Sequence, residues 1–270
     1  MKNTEIRKNQ IMEQLEIKRK LLVSEIADIF EISLPTARRI CNQLEKEHRA
    51  VRFHGGIRFV KRIYSFDTLD AEYNAEKEAI ARKACKLIQN NQNIFLESGT
   101  TVKHLAMALV SRIEKGELAH ITVFTNSLVN LEILEPVCKV TVIGGFYRPE
   151  SRDFCGIFCE RMIQTLRFNI CFLGADALNI KDGIMEMDIE SARYNERLVE
   201  RSDQSIILAH SEKFHKHSLI SYCSVHDVSA IYTDSGLPTE IVQKYQDVGV
   251  NLICVDVKHS IPSLRLSYHR

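Results

Sequence analysis

Two kinds of hydrophobic pattern divide the chain, and the change comes near residue 76. Before it, apolar positions recur at helical spacing. Ile11, Met12 and Leu15 share one face of a helix expected over residues 5–16, with Thr4 as its cap and a second helix as its neighbour. In VSEIADIFEI, residues 23–32, Val23, Ile26, Ala27 and Phe30 form a short stripe, with Ser24 as the expected cap. In SLPTARRICNQLEKEHRAVRFHGG, residues 33–56, Ala37, Ile40, Cys41 and Leu44 line one face. Ser33 is a good N-cap there, and Pro35 falls in the first turn, where its missing N–H costs nothing. Residues 50–53 and 57–60 read as strands around His54-Gly55-Gly56, where Gly-Gly supplies the positive φ of a tight hairpin.

After residue 76 the pattern becomes alternating. Residues 76–89 are helical, with Ile80, Ala81, Ala84 and Leu87 on one face. Apolar strands follow at 93–97, 121–124, 140–143, 170–173, 205–208, 228–232 and 252–255. They are rich in Val, Ile and Phe, as strands covered on both faces are. Helical segments after Thr100, Ser127, Ile189 and Pro238 separate several of them. This is an α/β domain with a mainly parallel sheet. The expected organisation is residues 1–60 as a winged helix-turn-helix domain, 61–75 as an aperiodic linker, and 76–270 as a second domain.

Composition adds bounds. The chain has 270 residues, 45% hydrophobic and 26% charged, which suits a globular protein. No apolar run has the length of a membrane span, and the N-terminus has no apolar core of a secretory signal. The eight cysteines form no C-x-x-C pair and mostly sit in apolar runs, which points to a reducing cytosol rather than a disulfide framework. Cys155, Cys159, His210, His215 and His217 lack standard ligand spacing, so neither a metal nor another cofactor is expected. The net charge of +1 hides an asymmetry: residues 1–62 hold 14 Lys/Arg against 8 Asp/Glu, and the rest 22 against 27. A basic head on a mildly acidic body fits a nucleic-acid module joined to something else.

The candidate chemistry follows from these placements. Outward on the helix after Ser33 lie Thr36, Arg38, Arg39, Asn42 and Gln43, donors and cations suited to phosphates and base edges. The wing adds Arg49, Arg52 and Arg58, with His54 at its tip. Thr36, Arg38, Arg39, Asn42, Arg52 and His54 are therefore the expected DNA-binding residues. The run Lys18-Arg19-Lys20 suits either a backbone contact or a solvated loop. A helical hairpin with a solvated charged face fits the two-helix pattern as well; the basic hairpin beside it favours DNA.

In parallel sheets, ligands sit at the carboxyl ends of strands. Here those ends read Glu97-Ser98-Gly99-Thr100-Thr101, Thr125-Asn126-Ser127, Gly144-Gly145, Gly174-Ala175-Asp176 and His210-Ser211-Glu212-Lys213. Hydroxyls and a glycine at a helix N-terminus favour a phosphate. Ser98, Gly99, Thr100 and Thr101 are expected to hold it, with Asn126, Asp176, His210 and Lys213 around the rest of a phosphorylated polar metabolite.

The same residues resemble the DeoR-type bacterial transcriptional regulators. Thr36-x-Arg38-Arg39, Leu44-Glu45 and Arg52-Phe53-His54-Gly55-Gly56 match that family's N-terminal motifs. Residues 94–101 (IFLESGTT), 125–127 (TNS), 144–145 (GG), 172–176 (FLGAD) and 210–214 (HSEKF) match its effector domain in order and spacing, and Asn74-x-x-Lys77 matches the segment between. The resemblance covers nearly the whole chain. It implies a sheet domain related to sugar-phosphate isomerases, a sugar-phosphate effector, and an unliganded state that represses. The chain departs from the family at Glu31 (usually Gly), Ile40 (Asp), Glu97 (Asp), Ala177 (Gly), Asn195 (often Lys) and His210 (Asp). A histidine there brings a group that ordinarily titrates near neutrality; if it lies beside the phosphate, ligand affinity is expected to rise as pH falls through about 8 to 6.

Two functions compete. One is a cytoplasmic DNA-binding repressor of sugar-metabolism genes, binding double-stranded operator DNA and relieved by a phosphorylated sugar, with no membrane partner. It would be at least a homodimer through residues 76–270, because one winged module reads only a short site. The other is an isomerase-like enzyme using Asp176 and Lys213, with Glu212 as a further carboxylate. A basic winged module has no purpose in an isomerase, so the expectation is a regulator and not an enzyme.

Overall fold

The computed structural model describes residues 2–46, 50–59 and 66–257. The chain divides into two compact units, Met1–Thr68 and Leu69–Arg270. Arg49, Val60, residues 61–65 of the expected linker and residues 258–270 lie outside the described residues.

The first unit runs α1 (Lys2–Lys18), β1 (Lys20–Leu22), α2 (Val23–Ile29), α3 (Leu34–Lys46), β2 (Ala50–Phe53) and β3 (Gly56–Phe59). Its core is the expected set: Ile11, Leu15, Ile26, Ile40, Leu44 and Ile57 are fully buried, with Met12 packed against them. Three local expectations change. Helix α1 begins before Thr4, which lies inside it, and runs on to Lys18. It stops where Arg19 turns left-handed at φ 65°. The basic run is therefore not a loop. Its last member opens β1, an edge strand paired antiparallel to β3 through Lys20–Arg58, Leu21–Ile57 and Leu22–Gly56. Ser24 is not the cap of α2: the Glu25 carboxylate accepts the Leu22 N–H at 2.7 Å and closes the first turn from inside the helix.

Ser33 does cap α3. Its hydroxyl accepts the Thr36 N–H at 3.4 Å and lies 2.9 Å from the Thr36 hydroxyl. The two glycines of the wing divide their work. Gly55 carries the positive φ, 89°, while Gly56 makes room, since a Cβ there would stand 2.3 Å from the Leu21 carbonyl oxygen. The α2–α3 turn keeps a left-handed residue although glycine is absent: Glu31 sits at φ 49°.

A short helix α4 (Phe66–Asp70) spans the boundary of the two units. The second unit then runs α5 (Asn74–Cys85), β4 (Asn93–Leu96), α6 (Thr100–Glu114), β5 (Thr122–Thr125), α7 (Leu128–Leu134), β6 (Lys139–Val142), β7 (Phe146–Arg148), β8 (Asp153–Cys155) and α8 (Ile157–Thr165). It continues through β9 (Phe168–Leu173), β10 (Ala177–Asn179), β11 (Gly183–Glu186), α9 (Ile189–Glu200), β12 (Ser202–Leu208), β13 (Ile220–Cys223), β14 (Ala230–Asp234), α10 (Thr239–Asp247) and β15 (Leu252–Val255).

Each of the seven expected strands is a member of one seven-stranded sheet, ordered β15-β14-β12-β9-β4-β5-β6, with every pairing parallel. Helices cover both faces. Ile80, Ala84, Leu105 and Leu109 of α5 and α6 pack on one, and Cys159, Tyr194, Leu198 and Tyr245 of α8, α9 and α10 on the other. From β4 the chain winds outward through β5 and β6, then returns past β4 to β9 and winds the other way. The loops leaving β4 and β9 therefore diverge from adjacent strands and open a crevice at their carboxyl ends.

The short pairs β7–β8 and β10–β11–β13 are antiparallel additions that hydrophobic periodicity did not reveal, because three or four residues are too few to show alternation. Helix α5 stops at Cys85 rather than Gln89. It starts after Tyr73, held left-handed at φ 53°.

The strain at Glu31 can be tested. An L-residue in the left-handed region costs about 1–2 kcal/mol, and glycine gives back about 0.5–1 kcal/mol of that as lost backbone entropy. Glu31→Gly should stabilise the first unit by about 0.5–1 kcal/mol, while Glu31→Ala, which keeps the Cβ, should not; urea denaturation of both variants checks this.

Candidate DNA-reading face and ligand crevice

The outer face of α3 is built as its pattern requires. Ala37, Ile40, Cys41 and Leu44 are buried, which turns Arg38, Arg39 and Asn42 fully to solvent, with Thr36 and Gln43 half-buried beside them. Pro35, Arg38, Arg39, Asn42 and Gln43 line an open groove of about 540 Å³. Two free guanidinium groups above an amide-bearing groove suit a phosphate backbone with base edges beneath. His54 is exposed at the wing tip. Arg52 differs from the other arginines: it is half-buried and lies beside the Cys41 thiol, whose pKa burial pushes up and Arg52 pulls back. Its Nη1 is buried with no partner among the described residues. Ile40, at the position where the family carries Asp, is buried in the core, so no ion pair forms from it.

The crevice of the second unit centres on Glu97. The residue is buried, and its carboxylate collects four donors. Oε1 accepts the Ser98 hydroxyl at 2.8 Å and the Tyr194 hydroxyl at 3.2 Å; Oε2 accepts the Gly99 N–H at 2.7 Å and the Gly174 N–H at 3.3 Å. Burial raises its pKa, and these donors oppose the rise. One carboxylate thus ties together the two loops that diverge at the switch of winding. Gly99 is needed for space rather than for φ, because a Cβ there would stand 2.8 Å from the Glu97 Oε2 and 3.7 Å from the Gly174 Cα.

The expected ligand residues divide accordingly. The Ser98 hydroxyl and Gly99 N–H are already engaged within the fold, the hydroxyl also donating to Asp153 at 2.9 Å. Thr100 and Thr101 open α6, whose first N–H groups have no intrahelical acceptor and no side-chain cap. Asn126 is buried and tied through its Nδ2 to the Phe154 carbonyl at 3.2 Å. Its neighbour Asn130, not singled out from the sequence, holds the Glu97 carbonyl at 2.8 Å. Asp176 accepts the Met187 N–H at 2.9 Å and faces the Lys213 ammonium at 3.6 Å.

His210 departs from expectation in its chemistry. Its ring is buried and stacks on Tyr73 with centroids 4.3 Å apart. Burial, with Lys213 and Lys77 nearby, lowers its pKa to about 4. It is neutral across the range in which it was expected to titrate. The unliganded ring therefore does not carry the charge expected of it near neutrality.

Sequence reasoning passed over two groups. Lys77 is 2% exposed, lies on the apolar face of α5, and donates to the Leu69 carbonyl. Burial, reinforced by Lys213 and Lys103, lowers its pKa to about 8. A lysine one turn before Ile80 and Ala81, on a stripe otherwise apolar, was the signal that could have found it. The second is Arg148, which grips the buried Asp153 with Nε at 2.8 Å and Nη2 at 2.6 Å, and also reaches Asp188 at 2.5 Å and Ser191 at 3.0 Å. Nothing in the local pattern around Arg148 announces it. Asn195 is buried and donates to Glu186 at 3.3 Å, and the Glu186 carboxyl is held well above the usual range by burial, Asp176 and Glu97. Among the described residues, no group of three or more His, Cys, Asp or Glu side chains is placed to hold a metal ion. No helix among them is long and apolar enough to cross a membrane.

With this geometry in hand, the comparisons identify the class. Residues 7–62 match the DeoR-like helix-turn-helix domain, and residues 72–235 match the DeoR C terminal sensor domain. The chain belongs to the DeoR family of helix-turn-helix transcriptional regulators. It is 32% identical to the HTH-type transcriptional regulator YulB of Bacillus subtilis over 92% of this chain and 96% of that protein. It is 27% identical to a putative aga operon transcriptional repressor of Escherichia coli O157:H7, over 93% of this chain and 94% of that one. It is 26% identical to the glycerol-3-phosphate regulon repressor of Escherichia coli K12, over 93% and 99%. Among solved structures, ribose 5-phosphate isomerase A of Methanocaldococcus jannaschii aligns with a TM-score of 0.39 at 16% identity, over 51% of this chain and 53% of that one.

Two consequences are measurable. The Asp153 side chain is 1% exposed and leans on Arg148. Arg148→Met strands that charge and should destabilise the second unit by about 3 kcal/mol, of which Arg148→Met/Asp153→Asn should recover most; urea unfolding of the two variants measures both. Lys77 supplies a pH dependence. Its pKa is depressed from 10.5 to about 8 on folding, so between those values the unfolded chain binds more protons and stability rises with pH. Below about pH 8 both states are protonated and the full penalty remains. Lys77→Met should remove that rise, read from denaturation midpoints across the window.

Proposed function

We propose that this chain is a cytoplasmic repressor of sugar-metabolism genes that binds double-stranded operator DNA and is released by a phosphorylated sugar. The observation that carries the reading is the pairing of one α3 groove, bearing Arg38 and Arg39, with a sensor sheet in which Lys77 lies close to Lys213 and to Lys103 near the start of α6. Arg38 and Arg39 hold the duplex, Thr36 and Asn42 lie nearest the bases, and Arg52 and His54 act from the wing. In the crevice, the N–H groups of Thr100 and Thr101 take the phosphate beside Lys213 and Lys77. Asp176 and Asn126 take hydroxyl groups, and Ser98 and Gly99 hold the loop in shape through Glu97. His210 forms a neutral wall. Two of the relatives are named as repressors, one of an aga operon and one of a glycerol-3-phosphate regulon, which supports the sign of regulation and the class of effector.

The ligand relieves repression only by preferring the state that binds DNA poorly, and a coupling of about 1–3 kcal/mol changes operator affinity about 5–150-fold. The protein works as a homodimer or higher oligomer through its second unit, since operators are read as paired half-sites. An isomerase has less support. Asp176 and Lys213 face each other at 3.6 Å and largely neutralise one another, rather than flanking a substrate as base and electrophile.

Operator binding tests the whole reading. Arg38→Ala and Arg39→Ala should each weaken binding to all sequences alike and flatten the salt dependence by about one unit, whereas Asn42→Ala should cost about 1–3 kcal/mol and relax specificity at one position. Fluorescence anisotropy with a panel of phosphorylated sugars then asks for release. A double arginine variant that binds as wild type removes α3 from the interface, and an unresponsive panel removes the switch.

A further inference from the structure

The β7–β8 hairpin and α8 carry an apolar face that neither the crevice nor the core uses. Phe146 is 64% exposed and Phe158 58%, and Ile157, Met162 and Ile189 are each about half exposed. They are contiguous. The Phe146 and Phe158 rings lie 6.3 Å apart, and Phe158 and Met162 are one turn apart on α8. Gly156, which precedes Ile157, packs against both Phe146 and the Glu190 carboxylate next to Ile189. With side-chain areas of about 150–250 Å² for the aromatics, the exposed apolar surface is on the order of 500 Å². That is the upper end of what monomeric proteins expose. It also matches the apolar share of an interface burying about 800 Å² on each partner.

What covers the face follows from its edge. Glu160, Asp188 and Glu190 stand there with Arg161 and Arg193, charges of both signs interspersed. A mixed edge around an apolar centre suits neither a nucleic acid nor an anionic membrane, and it is complementary to itself under a two-fold rotation. The face is also held in shape before any partner arrives, since Arg148 locks β7 to Asp153 of β8 and to Asp188 at the start of α9. We propose that a second copy of this chain packs here, Phe146 and Phe158 of each copy against the same residues of the other. This rests on the reading above that the protein works as a homo-oligomer, and it names the surface.

Sedimentation velocity of the full-length chain over a dilution series tests both statements separately. Wild type should sediment as a dimer or larger. Phe146→Asp/Phe158→Asp should fall to monomer mass and lose operator affinity by about tenfold or more, because the paired half-sites are no longer linked. Met107→Asp changes an exposed residue on α6, across the sheet, and should keep the wild-type mass. A double variant that keeps the wild-type mass overturns this face while leaving oligomerisation intact. A wild type that stays monomeric throughout overturns both, and leaves the face to a different protein partner. If the double variant does not fold, hydrogen exchange on wild type decides. Amides of residues 146–148 and 157–163 should exchange faster on dilution, and exchange unchanged while the mass falls overturns the proposal.

Discussion

A carboxylate buried where a sheet reverses its winding must find donors, and in this chain Glu97 finds them in four places. The two backbone donors, Gly99 and Gly174, come from the loops after β4 and β9, adjacent strands whose exits diverge. The side-chain donors bring in the start of α6 and the middle of α9. Left unpaired, such a group would cost several kcal/mol. Paired, it gives the crevice a floor of definite shape. The same requirement accounts for Gly99, whose Cβ would collide with the carboxylate it must bind.

Around that floor the charges are arranged in layers. Asp153 receives the Ser98 hydroxyl and is answered by Arg148, so the anionic floor is balanced through the β7–β8 hairpin. On the other side, Lys77 and Lys213 are half-compensated. Burial holds the first down to about pKa 8, and a single aspartate faces the second. An added anion in the crevice relieves the mutual repulsion of those cations, and a neutral ligand does not. The electrostatics of these groups favour an anionic occupant over a neutral one. His210 takes no part in that balance, because burial, helped by the same cations, keeps it neutral.

The first unit depends on a different constraint. Three helices and a small wing must enclose a core from few residues, and each end is closed economically. Glu25 caps α2 from within, Ser33 caps α3, and Gly56 lets β1 approach the hairpin. Burying Ala37, Ile40, Cys41 and Leu44 leaves Arg38, Arg39 and Asn42 no place but solvent. The basic face is a by-product of the packing, which is why it was readable in advance.

Much of this molecule was determined by local pattern. Seven apolar strands, the helices after Thr100, Ser127, Ile189 and Pro238, and the α2–α3 pair with its wing are each set by periodicity and caps that a few neighbouring residues specify. Side-chain environment was not legible in this way. Residues 73 and 210 lie far apart in sequence, yet they stack in the fold, and burial there lowers the His210 pKa to about 4. Lys77 acquires its depressed pKa from Lys213 and Lys103 as well as from burial, and Arg148 its role from Asp153, Asp188 and Ser191. The small antiparallel pairs were also hidden, being too short for a period. Pattern is a property of neighbours along the chain. Charge state and hydrogen-bond partnership depend on whatever the fold brings within a few ångströms, and that only the tertiary structure decided.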